Sequence, residues 1–475
     1  MGVDSKGGRA RGDLDVIPEE LHEFLKTAPS SLLIKGATGT GKTTLALAIL
    51  HHLDARDGFL YLSTRESLSE MLRCHRWLRE WMRPAGGRRR GARSGQSAAA
   101  AAAVLTDSFV DSRLDEPTQL FERITNQLME AISPTIVIDT WDSLSDFKEE
   151  DSLQSNLRVL LAWCERAGAR LILLGEDPAV DKFDALVDGV VVLERREIDG
   201  RRSREIVFPK LRGTDIRNPS YFFTLKDARF RSFRRTGPDY LTVEPGASSP
   251  VPGAAASSEG FRSGGYLPTG HAALDSDLGG GFPAGSLVNL ALANGVDPRV
   301  PLFLLESTLG AFLSSGRRAV LVPFEGLAPG FVEGYLSWAV PSAWRGLVRQ
   351  EWKRNGAASD PADTKGGGGE EEEEEGEEDG KGPSLVILGP GAIQEREVRR
   401  LASAVQAAAG LGFVVTRDAD SAIAGRLSEN SASVLRITAE SGTLLLRPQF
   451  PSTKLYVIDV RRESGRPLLR LEPMV

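Results

Sequence analysis

The amino-acid sequence predicts two tandem α/β domains, each built on a mostly parallel β-sheet flanked by helices. In the first half, short apolar runs alternate with longer amphipathic stretches, which is typical of parallel strands joined by right-handed crossovers. The second half repeats this pattern weakly, since residues 30–50 can be laid over 285–305 and residues 59–66 over 319–326. A duplicated domain accounts for both observations.

The apolar runs of the first half are rich in Leu, Ile and Val and are bounded by Gly or Asp, as expected of buried strands. They are 31–36, 58–63, 135–139, 169–175 and 188–194. Apolar residues at helical spacing predict the intervening helices, which are 42–53, 66–82, 117–132 and 152–167. Two further strand-like pieces, 203–211 and 220–225, predict an antiparallel extension of the sheet edge.

Length and composition set the expected domain organisation. A chain of 475 residues with 41% hydrophobic and 26% charged residues is typical of two or three folded domains. The expected segments are a disordered N-terminus (1–15), a first domain (16–236), a linker (237–264) and a second domain (265–475). A mobile insertion in the first domain (84–103) and an acidic disordered insertion in the second (359–382) are also expected.

Charge, cysteine content and hydropathy indicate which ligands and which cellular location to expect. A formal net charge of −7 argues against a surface that binds nucleic acid over its whole extent. The only two cysteines, Cys74 and Cys164, are not in a paired spacing, which favours a reducing, cytoplasmic location. No apolar run approaches the length of about 18 residues that a membrane span needs, so no membrane partner is expected.

The strongest chemical signal is GATGTGKTT, which follows a predicted strand and opens a predicted helix. Its glycines let backbone amides converge on phosphates, and the helix N-terminus adds partial positive charge. Lys42 would neutralise phosphate oxygens, and Thr43 would bind Mg²⁺. The sequence therefore predicts ATP and Mg²⁺ as ligands. The predicted nucleotide-binding residues are Gly36, Ala37, Thr38, Gly39, Thr40, Gly41, Lys42, Thr43 and Thr44.

A P-loop also needs a distant carboxylate for the metal, and TIVIDTWDS supplies one. Asp139 ends an apolar strand, where it would face the phosphates, and we predict it as the second Mg²⁺ ligand. The alternative is an aspartate that only caps the following helix. Asp142 is the weaker candidate, and Trp141 is interpreted as a packing residue.

At these residues the sequence resembles the KaiC branch of the RecA superfamily. Its first half is most similar to the P-loop domain of the archaeal gas-vesicle regulatory family GvpD. The matching pieces are 17–25, 32–50, 61–67, 135–144, 186–197, KLRGT at 210–214, and 221–233. The resemblance implies RecA-like domains, an ATPase activity and assembly into a ring, often a hexamer.

The resemblance also assigns roles to individual residues. A glutamate at the position of Glu66 polarises the attacking water, which nominates Glu66 as the catalytic base; the alternative is a surface residue at a helix start. Lys210 and Arg212 of KLRGT would reach the neighbouring subunit's nucleotide, unless they only form a basic edge that discourages sheet pairing. KaiC proteins carry two adjacent glutamates where this chain has Arg65 and Glu66, so hydrolysis is expected to be slow.

The second domain is expected to keep the fold and lose the nucleotide site. Residues 269–287 are similar to the opening signature of KaiC-type domains. In the register of the repeat, however, Asp297 and Pro298 replace the lysine and threonine of the P-loop. Repulsion then replaces attraction at the phosphates, which is worth about 4 kcal/mol per charge pair at an intermediate dielectric. The run SLVIL also lacks the metal-binding carboxylate.

Three functions remain open from the sequence. The first is a slow regulatory ATPase that couples nucleotide state to self-assembly or to a protein partner, for example a transcriptional regulator. The second is a DNA-repair or recombination accessory ATPase, and the third is a structural protein that binds ATP without hydrolysing it. An arginine-rich stretch with two tryptophans, 73–93, could bind nucleic acid, but an amphipathic helix with Trp77 and Trp81 packed inside is the preferred interpretation.

Overall fold

The structure is a computed structural model of the chain. It describes residues 16–55, 58–82, 108–112, 117–142, 150–176, 182–237, 239–244, 265–322, 327, 329–350, 385–388, 402–417 and 431–475. The expected N-terminal segment and both expected insertions, 84–103 and 359–382, lie outside these residues. The chain divides into two compact units, one reaching Arg234 and including Met474–Val475, the other spanning Arg235–Pro473.

The first unit contains helices on both faces of one sheet. The helices are α1 Glu19–Lys26, α2 Lys42–His52, α3 Leu68–Cys74, α4 Leu78–Trp81, α5 Pro117–Glu130 and α6 Glu150–Arg166, with a 3₁₀ helix at Lys226–Ala228. The strands are β1 Ser30–Lys35, β2 Phe59–Ser63, β3 Phe109–Asp111, β4 Thr135–Asp139, β5 Arg170–Gly175, β6 Gly189–Ile198, β7 Arg201–Leu211, β8 Ser220–Thr224 and β9 Arg231–Ser232.

The sheet of the first unit has the order β3-β2-β4-β5-β1-β6-β7-β8-β9. The strands from β3 to β6 are parallel, and the pairs from β6 to β9 are antiparallel. Strand β1 lies in the middle, and its side chains alternate between two cores: Leu32 and Ile34 pack on one face, and Leu33 on the other. Burial on both faces explains why these strands read as continuous apolar runs.

The predicted fold class is confirmed, and the predicted strands of the parallel sheet end within one residue of the observed ones, apart from the longer β6. The predicted helix 66–82 is wrong as one element, because it divides into α3 and α4. Ser67 begins α3 with a reciprocal capping box to Glu70, and His75 ends it with φ of −110° and ψ of 69°, outside the helical region. Helix α1 and the edge strand β3 were not predicted.

The second unit is also built on one large sheet. Its helices are α7 Ala272–Asp277, α8 Val300–Leu304, α9 Glu306–Ser314 and α10 Pro329–Ala339, with a 3₁₀ helix at Ser342–Leu347 and helical residues at 402–407. The strands of this sheet are β12 Ser286–Leu292, β13 Ala319–Val322, β14 Val348–Gln350, β15 Leu385–Leu388, β16 Leu411–Arg417, β17 Ser433–Glu440, β18 Thr443–Phe450, β19 Tyr456–Glu463 and β20 Arg466–Pro473. A separate two-stranded sheet pairs β10 Tyr266–Leu267 with β11 Phe282–Pro283.

The large sheet of the second unit has the order β14-β13-β15-β16-β12-β17-β18-β19-β20. Position by position this is the order of the first sheet, with parallel pairing up to β17 and antiparallel pairing beyond it. The weak repeat in the sequence therefore corresponds to a repeated topology. Leu241, from the segment expected to be a linker, is fully buried in the core of this unit.

Among the described residues, no helix combines the length and the apolar character that crossing a lipid bilayer requires.

Candidate nucleotide-binding site

The P-loop residues form the turn between the central strand β1 and helix α2, at the carboxyl edge of the parallel strands. Gly36 is required there by contact with backbone, and Gly41 by its backbone conformation. A Cβ atom at Gly36 would lie 2.7 Å from the carbonyl oxygen of Leu193, and one at Gly41 would lie 2.8 Å from Leu225. Gly41 also has φ of 108°, a conformation that side-chain-bearing residues avoid. The turn thus brings backbone amides to one point in front of the helix N-terminus.

Lys42 is the first residue of α2, and its side chain folds back over the turn. Its Nζ atom donates to the carbonyl oxygen of Gly36 at 2.6 Å and to that of Ala37 at 3.3 Å. The residue is 7% exposed, and this burial lowers the pKa of the ammonium, against the raising effect of Glu176 and Asp139. The ammonium therefore lies at the mouth of the P-loop, where phosphate oxygens would compete for it.

The two predicted metal ligands lie together. Thr43 Oγ1 donates to Asp139 Oδ2 at 2.8 Å, although the residues are far apart in sequence. Tyr61 from β2 donates to the same carboxylate oxygen at 2.6 Å, which orients the buried Asp139 side chain. A hydroxyl and a carboxylate this close are hard oxygen donors of the kind that bind Mg²⁺ beside phosphates. Thr43 and Asp139 would hold the ion, which neutralises phosphate charge when bound.

The remaining P-loop side chains have different surroundings. Ala37, Thr38 and Gly39 are exposed at the tip of the turn, and Thr40 Oγ1 donates to the Ala37 carbonyl at 2.8 Å, within the turn. The Thr44 side chain lies on the buried side of α2, where its hydroxyl is 3.2 Å from His75 Nε2. Any contact of Thr44 with phosphate would therefore come from its backbone amide.

Glu66 follows β2 at the same edge of the sheet. Its backbone amide donates to Ser63 Oγ at 3.0 Å, which fixes the start of the loop after the strand. Desolvation raises the pKa of its carboxyl, the nearby carboxylates of Asp139 and Glu70 raise it further, and Arg73 opposes them. A glutamate with a raised pKa next to the metal ligand is a stronger base than a free one.

An ion pair that the sequence reasoning missed crosses the same edge. Arg65, after β2, pairs with Glu176, after β5, and the strand between them in the sheet is β4, which carries Asp139. The Glu176 backbone amide in turn donates to Asp142, whose pKa is raised by burial. Glu176 directly follows the predicted strand 169–175, so the rule that placed Asp139 at this edge could also have found it.

Lys210 and Arg212 lie at the opposite edge. Lys210 pairs with Val190 of β6, which pairs with Leu33 of β1, so within one chain it lies two strands from β1 and about 10 Å along the strand before Gly36. Its Nζ atom donates to the carbonyl oxygens of Asp184 and Val187 at 2.8 and 2.6 Å. The structure therefore does not bring these two residues to the site of Lys42 in the same chain.

Arg212 is largely exposed, with a side-chain accessibility of 78%, and lies 3.4 Å from the Asp188 carboxylate. Arg212, Asp188 and Ser31 are among the residues that line a cavity of about 450 Å³. An exposed guanidinium beside an open cavity at this edge has room for a ligand or a partner.

The arginine-rich stretch is described only up to residue 82. Trp77 and Trp81 are buried at 7% and 5% exposure, and Trp77 Nε1 donates to the Ala228 carbonyl at 3.0 Å. The interpretation of both tryptophans as packing residues is confirmed, and neither offers a free face for a base. His75 is buried, and its Nε2 atom lies 3.2 Å from the Thr44 hydroxyl.

The equivalent turn of the second unit has no P-loop chemistry. It joins β12 to α8, and α8 begins at Val300, three residues later than the register of the repeat predicts. Asp297 accounts for the longer turn, because its carboxylate accepts from the Arg299 backbone amide at 2.8 Å and from the Arg299 guanidinium at 2.6 Å. Leu388 ends β15 at the register position that Asp139 has in β4. At the positions equivalent to Lys42 and Asp139, the described part of the second unit therefore has neither a cation nor a metal-binding carboxylate.

Comparison with known proteins agrees with this geometry. Residues 21–208 match the family described as GvpD gas vesicle protein, P-loop domain. This segment is similar to that P-loop domain. Two relatives from Halobacterium salinarum, Protein GvpD1 and Protein GvpD2, are 28% identical over 372 residues and 27% identical over 353 residues. The alignments cover 73% and 69% of this chain but 64% and 65% of the relatives, so the chain spans slightly less than two thirds of their length.

The resemblance drawn from the sequence is thereby confirmed for the GvpD-type domain. A P-loop domain is a nucleotide-binding domain, and the match includes the whole P-loop together with Asp139. The family match ends at Phe208, before Lys210 and Arg212.

Proposed function

We propose that this chain is a slow regulatory ATPase that binds ATP with Mg²⁺ in its GvpD-type domain. The observation that carries the proposal is the Thr43–Asp139 contact of 2.8 Å next to the buried ammonium of Lys42. The fold could form without the Thr43–Asp139 pair or the Lys42 ammonium. Binding of a triphosphate with its metal needs both the pair and the ammonium. Glu66, with its raised pKa, is the proposed general base for the attacking water.

The site is completed by a second copy of the chain. Lys210 and Arg212 lie toward the amino edge of the sheet, and their side chains contact Asp184, Val187 and Asp188 and not the P-loop of their own chain. In a ring with head-to-tail contacts, that edge of one subunit faces the carboxyl edge of the next. Cations delivered there would stabilise the charge on the departing γ-phosphate and would make hydrolysis depend on assembly.

The downstream partner is proposed to be a protein regulator of gas-vesicle production, by analogy with the name of the matching family. Slow turnover suits such a role, because the nucleotide state then persists long enough to control a partner. The DNA-repair alternative is less well supported, because Trp77 and Trp81 are buried and cannot stack on bases.

Mixing two inactive variants tests both the reaction and the shared site. Lys42→Ala removes the ammonium that is proposed to bind the phosphates. Arg212→Ala removes the exposed guanidinium that is proposed to act on the nucleotide of the neighbouring subunit. Each variant alone should hydrolyse little ATP, and a 1:1 mixture should regain roughly a quarter of the wild-type rate, since one interface in four combines both intact residues.

The controls are phosphate release by the wild type and sizing of the protein with and without ATP and Mg²⁺. No gain on mixing, while both variants still assemble, would exclude the shared site. ATP binding without phosphate release by the wild type would instead support the non-hydrolysing alternative.

A further inference from the structure

The outer side of the P-loop is held by two arginines from the β6–β7 hairpin. Arg195 Nη2 donates to the Thr38 carbonyl oxygen at 2.9 Å. Arg204 Nη1 donates to the carbonyl oxygens of Gly39 and Thr40 at 3.0 and 3.2 Å. Three consecutive carbonyls of the loop tip are therefore fixed by charged donors that lie more than 150 positions away in the sequence.

The two arginines are direct cross-strand neighbours, because Arg195 pairs with Arg204 in the register of β6 and β7. Like charges placed opposite each other in a sheet destabilise it. Arg204 is moreover only 8% exposed, so its charge is poorly solvated, and burial together with Arg202 and Arg195 lowers its pKa. A like-charge pair at this position suits a neighbour that is rich in negative charge.

The carboxylates of the hairpin are directed elsewhere. Glu194 and Glu205 both pair with Arg196, at 2.8 and 2.7 Å. Arg195 Nη2 and Arg204 Nη1 thus donate to the P-loop, whose carbonyls carry only partial negative charge, while Arg204 Nε donates to the Val475 carbonyl oxygen at 2.7 Å.

We propose that Arg195 and Arg204 are positioning residues for the nucleotide phosphates. They hold the carbonyls of Thr38, Gly39 and Thr40 outward. The amides of Gly39 and Gly41, which share peptide units with the Thr38 and Thr40 carbonyls, then face the triphosphate, whereas the Thr40 amide donates to the Ala37 carbonyl at 3.2 Å. They also place two positive charges behind the loop. The inference rests on the proposed function, because it takes residues 36–44 to be the phosphate-binding turn.

The chain supplies a matched control in Arg202. It lies on the same strand as Arg204, two residues away and so on the same face of the sheet, and it is exposed. Its register partner is Glu197, two residues beyond Arg195 along β6 and so further from the P-loop. Removing Arg202 changes the net charge by the same amount as removing Arg204 and leaves the loop contacts in place.

The test is calorimetric titration of the full-length protein with MgATP. Arg204→Met should weaken binding about tenfold and Arg195→Met about threefold, the range for losing charge-assisted hydrogen bonds. Arg204→Lys should recover part of the loss, because it restores the charge but not the forked donor geometry. Arg202→Met should bind within twofold of the wild type.

A second measurement separates positioning from general damage to the fold. Without nucleotide, amide hydrogen exchange in peptides covering 36–44 should be faster in Arg204→Met and unchanged in Arg202→Met, while β4 and β5 keep wild-type protection. If Arg204→Met does not fold, the same two measurements on Arg195→Met, whose wild-type side chain is exposed, test the inference.

Wild-type affinity in both Arg195→Met and Arg204→Met would overturn the inference. An equal loss in Arg202→Met would do so as well, since net charge would then explain the effect. A wild-type protein that binds no nucleotide would contradict the proposed function itself, which is a distinguishable result.

Discussion

The two units contain large sheets with the same strand order, but the turns that follow their central strands differ in chemistry. After β1, Lys42 and Thr43 open an 11-residue helix beside Asp139. After β12, Asp297 and Arg299 pair with each other before a helix of five residues. In the first unit the cation and the carboxylate come from separate elements and face a common space. In the second they neutralise each other two residues apart.

This difference shows that the fold and the site depend on different residues. The second sheet keeps its topology because the strands remain apolar and buried; Val288, Leu290, Phe413 and Leu435, for example, lie in one core. Burial of this kind stabilises the sheet at about 25 cal/mol per Å² whether or not a ligand binds. The nucleotide site depends on a few polar residues, which can be lost without loss of the fold.

The largest expected effect distinguishes the two units directly. The wild type should bind one MgATP per chain, and Lys42→Ala should weaken binding about a hundredfold, because a charged donor to the phosphates is lost. Arg299→Ala, the control in the second unit, should leave affinity and stoichiometry unchanged. Calorimetry measures both quantities, and two nucleotides per chain would end the distinction between an active and a degenerate unit.

A smaller effect tests the charge balance at the edge of the first site. Arg65→Glu would restore the paired glutamates of KaiC-type proteins, but it would also break the ion pair with Glu176 and place like charges together. We therefore expect MgATP affinity to fall about tenfold with no gain in hydrolysis, because negative charge is added beside the phosphates. Phosphate release at saturating ATP checks this. Faster hydrolysis would show instead that the absence of the second glutamate limits the rate of the proposed ATPase.

The smallest effect concerns the pH dependence of hydrolysis. A carboxylate acts as a base only when ionised, and the pKa of Glu66, the proposed base, is raised from 4.5, so activity should fall with decreasing pH above the usual glutamate range. Glu70→Gln removes one carboxylate that raises this pKa while its amide oxygen can still accept the capping bond from Ser67, so the acid limb should move down by about 0.3 pH unit. Glu80→Gln on α4 is the control, and an equal shift there would contradict the assignment.

The sequence alone determined the elements and chemistry that depend on local patterns. Apart from the short edge strand β3, the parallel strands of the first unit were readable because burial on both faces makes them apolar throughout. The P-loop was readable because its chemistry needs fixed spacing. The resemblance to the GvpD family came from the same local motifs. The capped helix α3 was predicted too long, since a break at His75 depends on its buried contact with Thr44, which no local pattern records.

The tertiary structure alone decided which distant residues meet. Arg195 and Arg204 reach the P-loop, and Arg65 reaches Glu176, because strand order places β6 beside β1 and sets β4 between β2 and β5. Such contacts depend on the three-dimensional arrangement of strands, and a charged residue on a hairpin looks the same in sequence whichever neighbour it finds. Residues of a motif with fixed spacing can therefore be found in the sequence. The residues that position them can be found only in the tertiary structure.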